Sequence, residues 1–149
     1  NGNHSKDEHF WNNNINSRQV SAWQGFSFET ICLLHLSQIK KRLGIGGIST
    51  NSCSWRKVGS TAEQGAQIDL LIDRADRVIN VCEMKFSETP YAITKDYEER
   101  LRTKMAVFRQ ETKATKSLAL TMVTTYGILP GIHSGIVQNE VSMDDLFAL

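Results

Sequence analysis

The sequence predicts an α/β domain: a mixed sheet of four or five strands with an antiparallel hairpin at its centre and helices on both sides. Two observations carry this. Ala66–Asp73 and Arg77–Phe86 are apolar, strand-like segments separated by a few polar residues, which is a hairpin pattern. A long amphipathic helix at about Thr94–Lys113 then leads to another strand, Ser117–Tyr126, which makes a right-handed βαβ unit with parallel strands.

The elements follow in order. Residues 1–19 are polar and Asn-rich, with only Phe10, Trp11 and Ile15 able to dock on a core. They read as a linker or edge segment from a longer parent chain, and the start at Asn1 fits that reading. The domain proper is expected over 20–149. From Val20 to Leu43, Trp23, Phe26, Ile31, Leu34, Ile39 and Leu43 recur at helical steps, and Gly44, Gly46 and Gly47 end the helix. A short strand is expected at Cys53–Val58, followed by a polar loop to Gly65. The helix at Thr94–Lys113 carries Tyr97, Leu101, Met105 and Phe108 as its apolar stripe. Gly135–Val141 is expected to form a last strand. Ser142-Met143-Asp144-Asp145 reads as the N-terminal cap of a short closing helix.

Composition narrows the function. The chain has 149 residues, 40% of them hydrophobic, and a formal net charge of +1. Such a chain can bury one core, and it offers no strong positive field to nucleic acid, so any such contact depends on local clustering. No apolar run approaches the ~20 residues of a membrane span. Cys32, Cys53 and Cys82 are three, without a CxxC pair, so reduced thiols and a cytoplasmic location are expected. Gly44–Gly47 lacks the spacing and the Lys-Ser/Thr of a phosphate loop, so no ATP site is expected within this chain. The four histidines show no zinc spacing.

The informative text is GAQIDLLIDR followed by VINVCEMKF. Asp69 sits mid-strand among apolar residues, and the next strand carries Glu83 and Lys85 two positions apart. Alternation places Glu83 and Lys85 on one face, about 7 Å apart along the strand. Buried carboxylates are costly unless paired or bound to a metal. Two acids and a lysine at one sheet position suit metal-assisted phosphodiester hydrolysis, in which the acids hold Mg2+ or Mn2+ by oxygen and the lysine orients water or offsets developing charge. The plainer alternative is a cross-strand ion pair. Sharing one metal requires Asp69 and Glu83 on one face, so the residue numbers paired across the hairpin should sum to an even number. A sum of 152 sets Asp69 opposite Glu83 and Gln67 opposite Lys85, with a loop at 75–77. Ile68, Leu70 and Ile72 should then pack with Val78, Cys82 and Met84. Asp69, Glu83 and Lys85 should face the first helix.

Asp69, thirteen intervening residues and Glu83-Met84-Lys85 resemble the core of the PD-(D/E)XK nuclease superfamily, with Ile68 in place of the leading proline. The wider text AWQGFSFE, CSW, GAQIDLLIDR, INVCEMKF, TTYG and DDLF resembles the C-terminal nuclease-like domain attached to prokaryotic AAA-type ATPases, over about residues 8–149. The resemblance implies a restriction-endonuclease-like sheet and a Mg2+- or Mn2+-dependent nuclease acting on nucleic acid, DNA foremost. It implies an ATPase domain on the same parent chain as partner. An alternative is an inactive nuclease fold kept as a DNA-binding or regulatory module of that ATPase. In such domains the first helix contributes an acid, and Glu29 in FSFE occupies that position; it is expected within about 10 Å of the Asp69–Glu83 pair, near enough to share a metal or its water shell. Without metal, one carboxylate should have a raised pKa or Lys85 should bridge two of them. Gln67 could position phosphate or water, or simply hydrogen-bond across the sheet. Lys95 stands where related nucleases place DNA-contacting residues. Arg56 and Lys57 flank Trp55, which could stack on a base or serve as a structural strand residue.

Overall fold

The structure is a computed structural model describing residues 17–149. The expected polar segment at 1–16 lies outside the described residues, whereas residues 17–19 belong to the first helix. Helix α1 spans Ser17–Leu34 and α2 spans Leu36–Arg42. The single helix expected at 20–43 breaks at His35. There the ring Nδ1 donates to the Ile31 carbonyl at 2.8 Å, and the backbone N–H is shared between Ile31 and Cys32. A side chain competing for a helical carbonyl interrupts the regular ladder.

Strands β1 (Thr50–Lys57), β2 (Ala66–Arg74), β3 (Val78–Lys85), β4 (Ser117–Thr124) and β5 (Asn139–Ser142) form one five-stranded sheet in the order β1-β2-β3-β4-β5. The pairs β1–β2 and β2–β3 are antiparallel, while β3–β4 and β4–β5 are parallel. Helix α3 (Lys95–Thr112) makes the β3-to-β4 crossover, and the short α4 (Met143–Leu146) follows β5. This is the mixed α/β sheet with a β2–β3 hairpin and flanking helices that the sequence predicts. The last strand is shorter than expected, because Ser134–Ile136 forms a 3-10 turn and pairing begins only at Asn139.

The hairpin loop is Ala75-Asp76-Arg77, with Arg77 in the left-handed region at φ 71°. A three-residue loop closed by such a residue matches strand twist. The Thr94 side chain caps α3 by accepting from the Tyr97 N–H at 3.1 Å. At α4, both the N–H and the hydroxyl of Ser142 donate to Asp145.

Both sheet faces are covered. Phe28 and Cys32 of α1, Ile39 of α2 and Leu146 of α4 pack on Leu70, Ile72, Cys82, Met84, Val123 and Val141. Tyr97, Leu101 and Phe108 of α3 pack on Ile68, Leu71, Ile79, Val81, Leu120 and Met122. The α3 stripe is therefore the expected one. The α1 stripe is not: Trp23, Phe26 and Leu34 are exposed, while Phe28 and Cys32 are buried. Helix α1 carries apolar residues around most of its circumference, so periodicity alone does not select its inner face.

The hairpin register sums to 152 in every paired position, from Leu70↔Cys82 to Asp73↔Ile79. Pairing stops at Leu70, one residue short of Asp69↔Glu83. On the other side of β2, the partner shifts from Cys53↔Leu71 to Trp55↔Ile68, which sets Asp69 and Leu70 together against Ser54. This β-bulge inserts one residue into β2 and reverses the alternation beyond it. Ile68 consequently packs on the α3 face with Leu71, and not with Leu70 and Ile72 as expected.

Candidate active site

Cys82 and Met84 point into the α1-side core, so alternation turns Glu83 to the opposite face, under α3. There the Lys104 ammonium donates to Glu83 Oε1 at 2.7 Å. Lys85 lies on the same face, its Nζ 5.2 Å from the centroid of the Tyr97 ring. The expectation that Glu83 and Lys85 face the first helix is thus corrected: they face α3, because β3 is buried on both sides and its other face is filled by Cys82 and Met84. Glu83 is 9% exposed, and burial of a carboxylate to that degree requires a cation.

Asp69 sits at the bulge, half-buried, and its Oδ1 accepts from Gln67 Nε2 at 2.8 Å. Gln67 therefore orients Asp69 along its own strand and makes no cross-sheet bond of the kind expected. Glu29, next to buried Phe28 on α1, is half-buried. Its carboxyl is held above the usual range, first by burial and then by the negative charges of Asp69 and Glu83, with Lys85 and Lys104 acting in the opposite direction. That coupling brings Glu29, Asp69, Glu83 and Lys85 into one electrostatic neighbourhood, as expected from sequence. It also meets the expectation of one carboxylate with a raised pKa. The cation on Glu83 is Lys104, however, and not Lys85.

Lys104 is the residue that sequence reasoning missed. Its signal was present: Tyr97, Leu101, Lys104 and Phe108 follow 4-, 3- and 4-residue steps, so a lysine stands at a core-facing position of the α3 stripe. A charged residue in that place needs a buried partner, and Glu83 supplies it.

Around this cluster the polar inventory is incomplete in one place. The Tyr97 hydroxyl is buried without a hydrogen-bond partner, and its pKa is pushed far up by burial, with Glu83 adding to the effect. A groove of about 510 Å³ lies between Gln64–Ala66, at the entry of β2, and the α3 residues Asp96, Glu99, Arg100, Thr103 and Lys104. It reaches the cluster through Lys104.

Of the other candidates, Lys57 is engaged by Glu63 at 2.8 Å and Glu111 at 2.5 Å, so its charge is already matched. Trp55 packs edge-on against Phe108, at 5.2 Å between ring centroids, and is a structural strand residue. Arg56 and Lys95 are exposed, at the β1 edge and at the start of α3. Cys32 and Cys82 are buried, with burial raising the Cys32 thiol to about 12. His133 Nδ1 lies 2.9 Å from Glu98 Oε2, a contact that ties α3 to the segment before β5.

Among the described residues, no group of three or more His, Cys, Asp or Glu side chains is already gathered closely enough to hold a metal ion. Glu83 is turned to Lys104 and Asp69 to Gln67. The donors still suit a hard cation in type. Asp69, Glu83 and Glu29 offer oxygen only, their charges oppose one another, and the buried Tyr97 hydroxyl beside them has no partner.

No family model and no curated protein matches the sequence. Among solved structures, the fold is similar to one titled "Crystal Structure of Protein of Unknown Function AF1548", with a TM-score of 0.50 and 13% sequence identity. The match covers 78% of this chain and 64% of that chain, so this chain spans less than two thirds of that protein's length. At this identity the likeness concerns the fold.

Proposed function

We propose that this domain is a metal-dependent nuclease-like domain that hydrolyses phosphodiesters of nucleic acid, DNA foremost, beside an AAA-type ATPase on the same parent chain in the cytoplasm. The observation that supports it is the electrostatic coupling of Glu29 to Asp69, Glu83 and Lys85. Three elements contribute these four residues, at the end of the hairpin where strand pairing stops. The D…ExK text identifies three of the four, Asp69, Glu83 and Lys85, independently.

Asp69, Glu83 and Glu29 would hold Mg2+ or Mn2+. When bound, the ion would polarise the phosphate and lower the pKa of a coordinated water. Gln67 fixes the Asp69 carboxylate. Lys85, held beside the Tyr97 ring, supplies positive charge for the oxyanion that develops at phosphorus.

The test is cleavage of plasmid, single-stranded DNA and RNA with Mg2+ or Mn2+. Asp69→Ala and Glu83→Ala should abolish turnover, and Lys85→Ala should lower it about 10²- to 10³-fold. Absence of both metal binding and cleavage in the folded wild type would overturn the nuclease reading. A second reading, an inactive fold retained as a DNA-binding or regulatory module, is favoured by the Lys104–Glu83 pair, in which an ammonium already neutralises the central acid. DNA binding in EDTA that is unaffected by Asp69→Ala would select it.

A further inference from the structure

We propose that Lys104 is a positioning residue that competes with the divalent cation for Glu83, and that metal binding frees it to contact a substrate phosphate in the groove beside α3. This rests on the metal-dependent reading above and adds to it a residue outside the D…ExK text.

The geometry has three parts. Lys104 Nζ stands 2.7 Å from Glu83 Oε1, where it occupies an oxygen that a metal ion would need. Its side chain is 27% exposed and that of Glu83 is 11%, so the pair lies at the boundary between core and groove. Lys104 also lines the groove, together with Arg100 one turn earlier on α3, the carboxylates Asp96 and Glu99 of the same helix, and Gly65 at the entry of β2. A flexible four-carbon stem lets the ammonium turn from the carboxylate into the groove without movement of the helix.

Charge gives the direction of the exchange. Glu29, Asp69 and Glu83 set against Lys85 and Lys104 leave the neighbourhood near −1, which suits neither an added phosphate nor an empty site. A divalent ion makes it net positive, the sign a phosphodiester requires. With the ion on Glu83, Lys104 loses its partner. Lys104 is then free to turn into the groove, where it would join Arg100 against the carboxylates Asp96 and Glu99 in meeting a phosphate.

The experiment measures Mn2+ affinity by calorimetry, without nucleic acid, for the wild type, Lys104→Met, Lys104→Arg and Glu83→Gln. Lys104→Met removes the competitor and should bind Mn2+ about tenfold or more tightly than wild type, within the range by which groups around a metal tune its affinity. Lys104→Arg keeps a cation on Glu83, protects against misfolding, and should bind no more tightly than wild type. Glu83→Gln should lose binding. With Mn2+ saturating, Lys104→Met should bind a short non-cleavable phosphorothioate oligonucleotide more weakly than wild type. Equal or weaker Mn2+ affinity in Lys104→Met, with the wild type binding, would overturn the competition and leave the nuclease reading in place. Failure of every variant and of the wild type to bind Mn2+ would overturn both.

Discussion

At the residue scale, Glu29 is a carboxyl whose surroundings disfavour its charge. Burial and the charges of Asp69 and Glu83 disfavour its ionised form, so its folded pKa is raised. A carboxyl with a raised folded pKa adds stability only while protonated. That contribution is present below the ordinary value of 4.5 and is lost as pH rises through the folded value. Glu29→Gln avoids the loss. Its melting temperature in EDTA should exceed that of wild type at pH 7, and the difference should shrink as pH falls below the ordinary carboxylate range. Added Mn2+ should narrow the gap at pH 7, because only the wild type retains the third carboxylate. A lower melting temperature for Glu29→Gln at pH 7 would show that the carboxylate contributes favourable contacts in the folded state.

At the scale of elements, the β2 bulge shapes the site. It ends the hairpin ladder at Leu70↔Cys82, and the candidate acids Asp69 and Glu83 lie just beyond that last pair. The loop that leads into this segment is pinched at its base by two glycines. A Cβ added to Gly65 would lie 2.5 Å from the Gly59 nitrogen and 2.9 Å from the Lys57 carbonyl oxygen, both backbone atoms. Gly65→Ala should therefore spread the β1–β2 connection and cost about 1–3 kcal/mol, as overpacking does. Gly65 also walls the groove, so the same variant should weaken oligonucleotide binding, measurable by fluorescence anisotropy. Gly46→Ala, with open space around it, is the control that should change neither.

At the scale of the whole molecule, one sheet separates two cores, one under α1, α2 and α4 and the other under α3. Strands β2, β3 and β4 contribute side chains to both, so neither core can be lost without the other. Phe28→Ala on one side and Leu101→Ala on the other should each cost about 2–5 kcal/mol. Both should shift a single unfolding transition in urea, with circular dichroism and tryptophan fluorescence coinciding. Two separated transitions would show that the cores fold independently. Among the described residues no helix is long and apolar enough to cross a membrane.

The sequence by itself determined the α/β class, the hairpin register of 152 and the α3 stripe, and it named Glu29, Asp69, Glu83 and Lys85 as the candidate site. These depend on local periodicity, turn length and motif spacing, which the chain carries within short windows. The tertiary structure decided the rest. It decided which side of α1 is buried, because an all-round apolar helix has no preferred face until a sheet packs on it. It turned Glu83 and Lys85 toward α3, because β3 is enclosed by helices on both faces and alternation does not say which layer lies above. It set the bulge at Asp69, which depends on how β1 pairs with β2. It paired Glu83 with Lys104, 21 residues away, a contact that exists only once the crossover helix lies across the sheet.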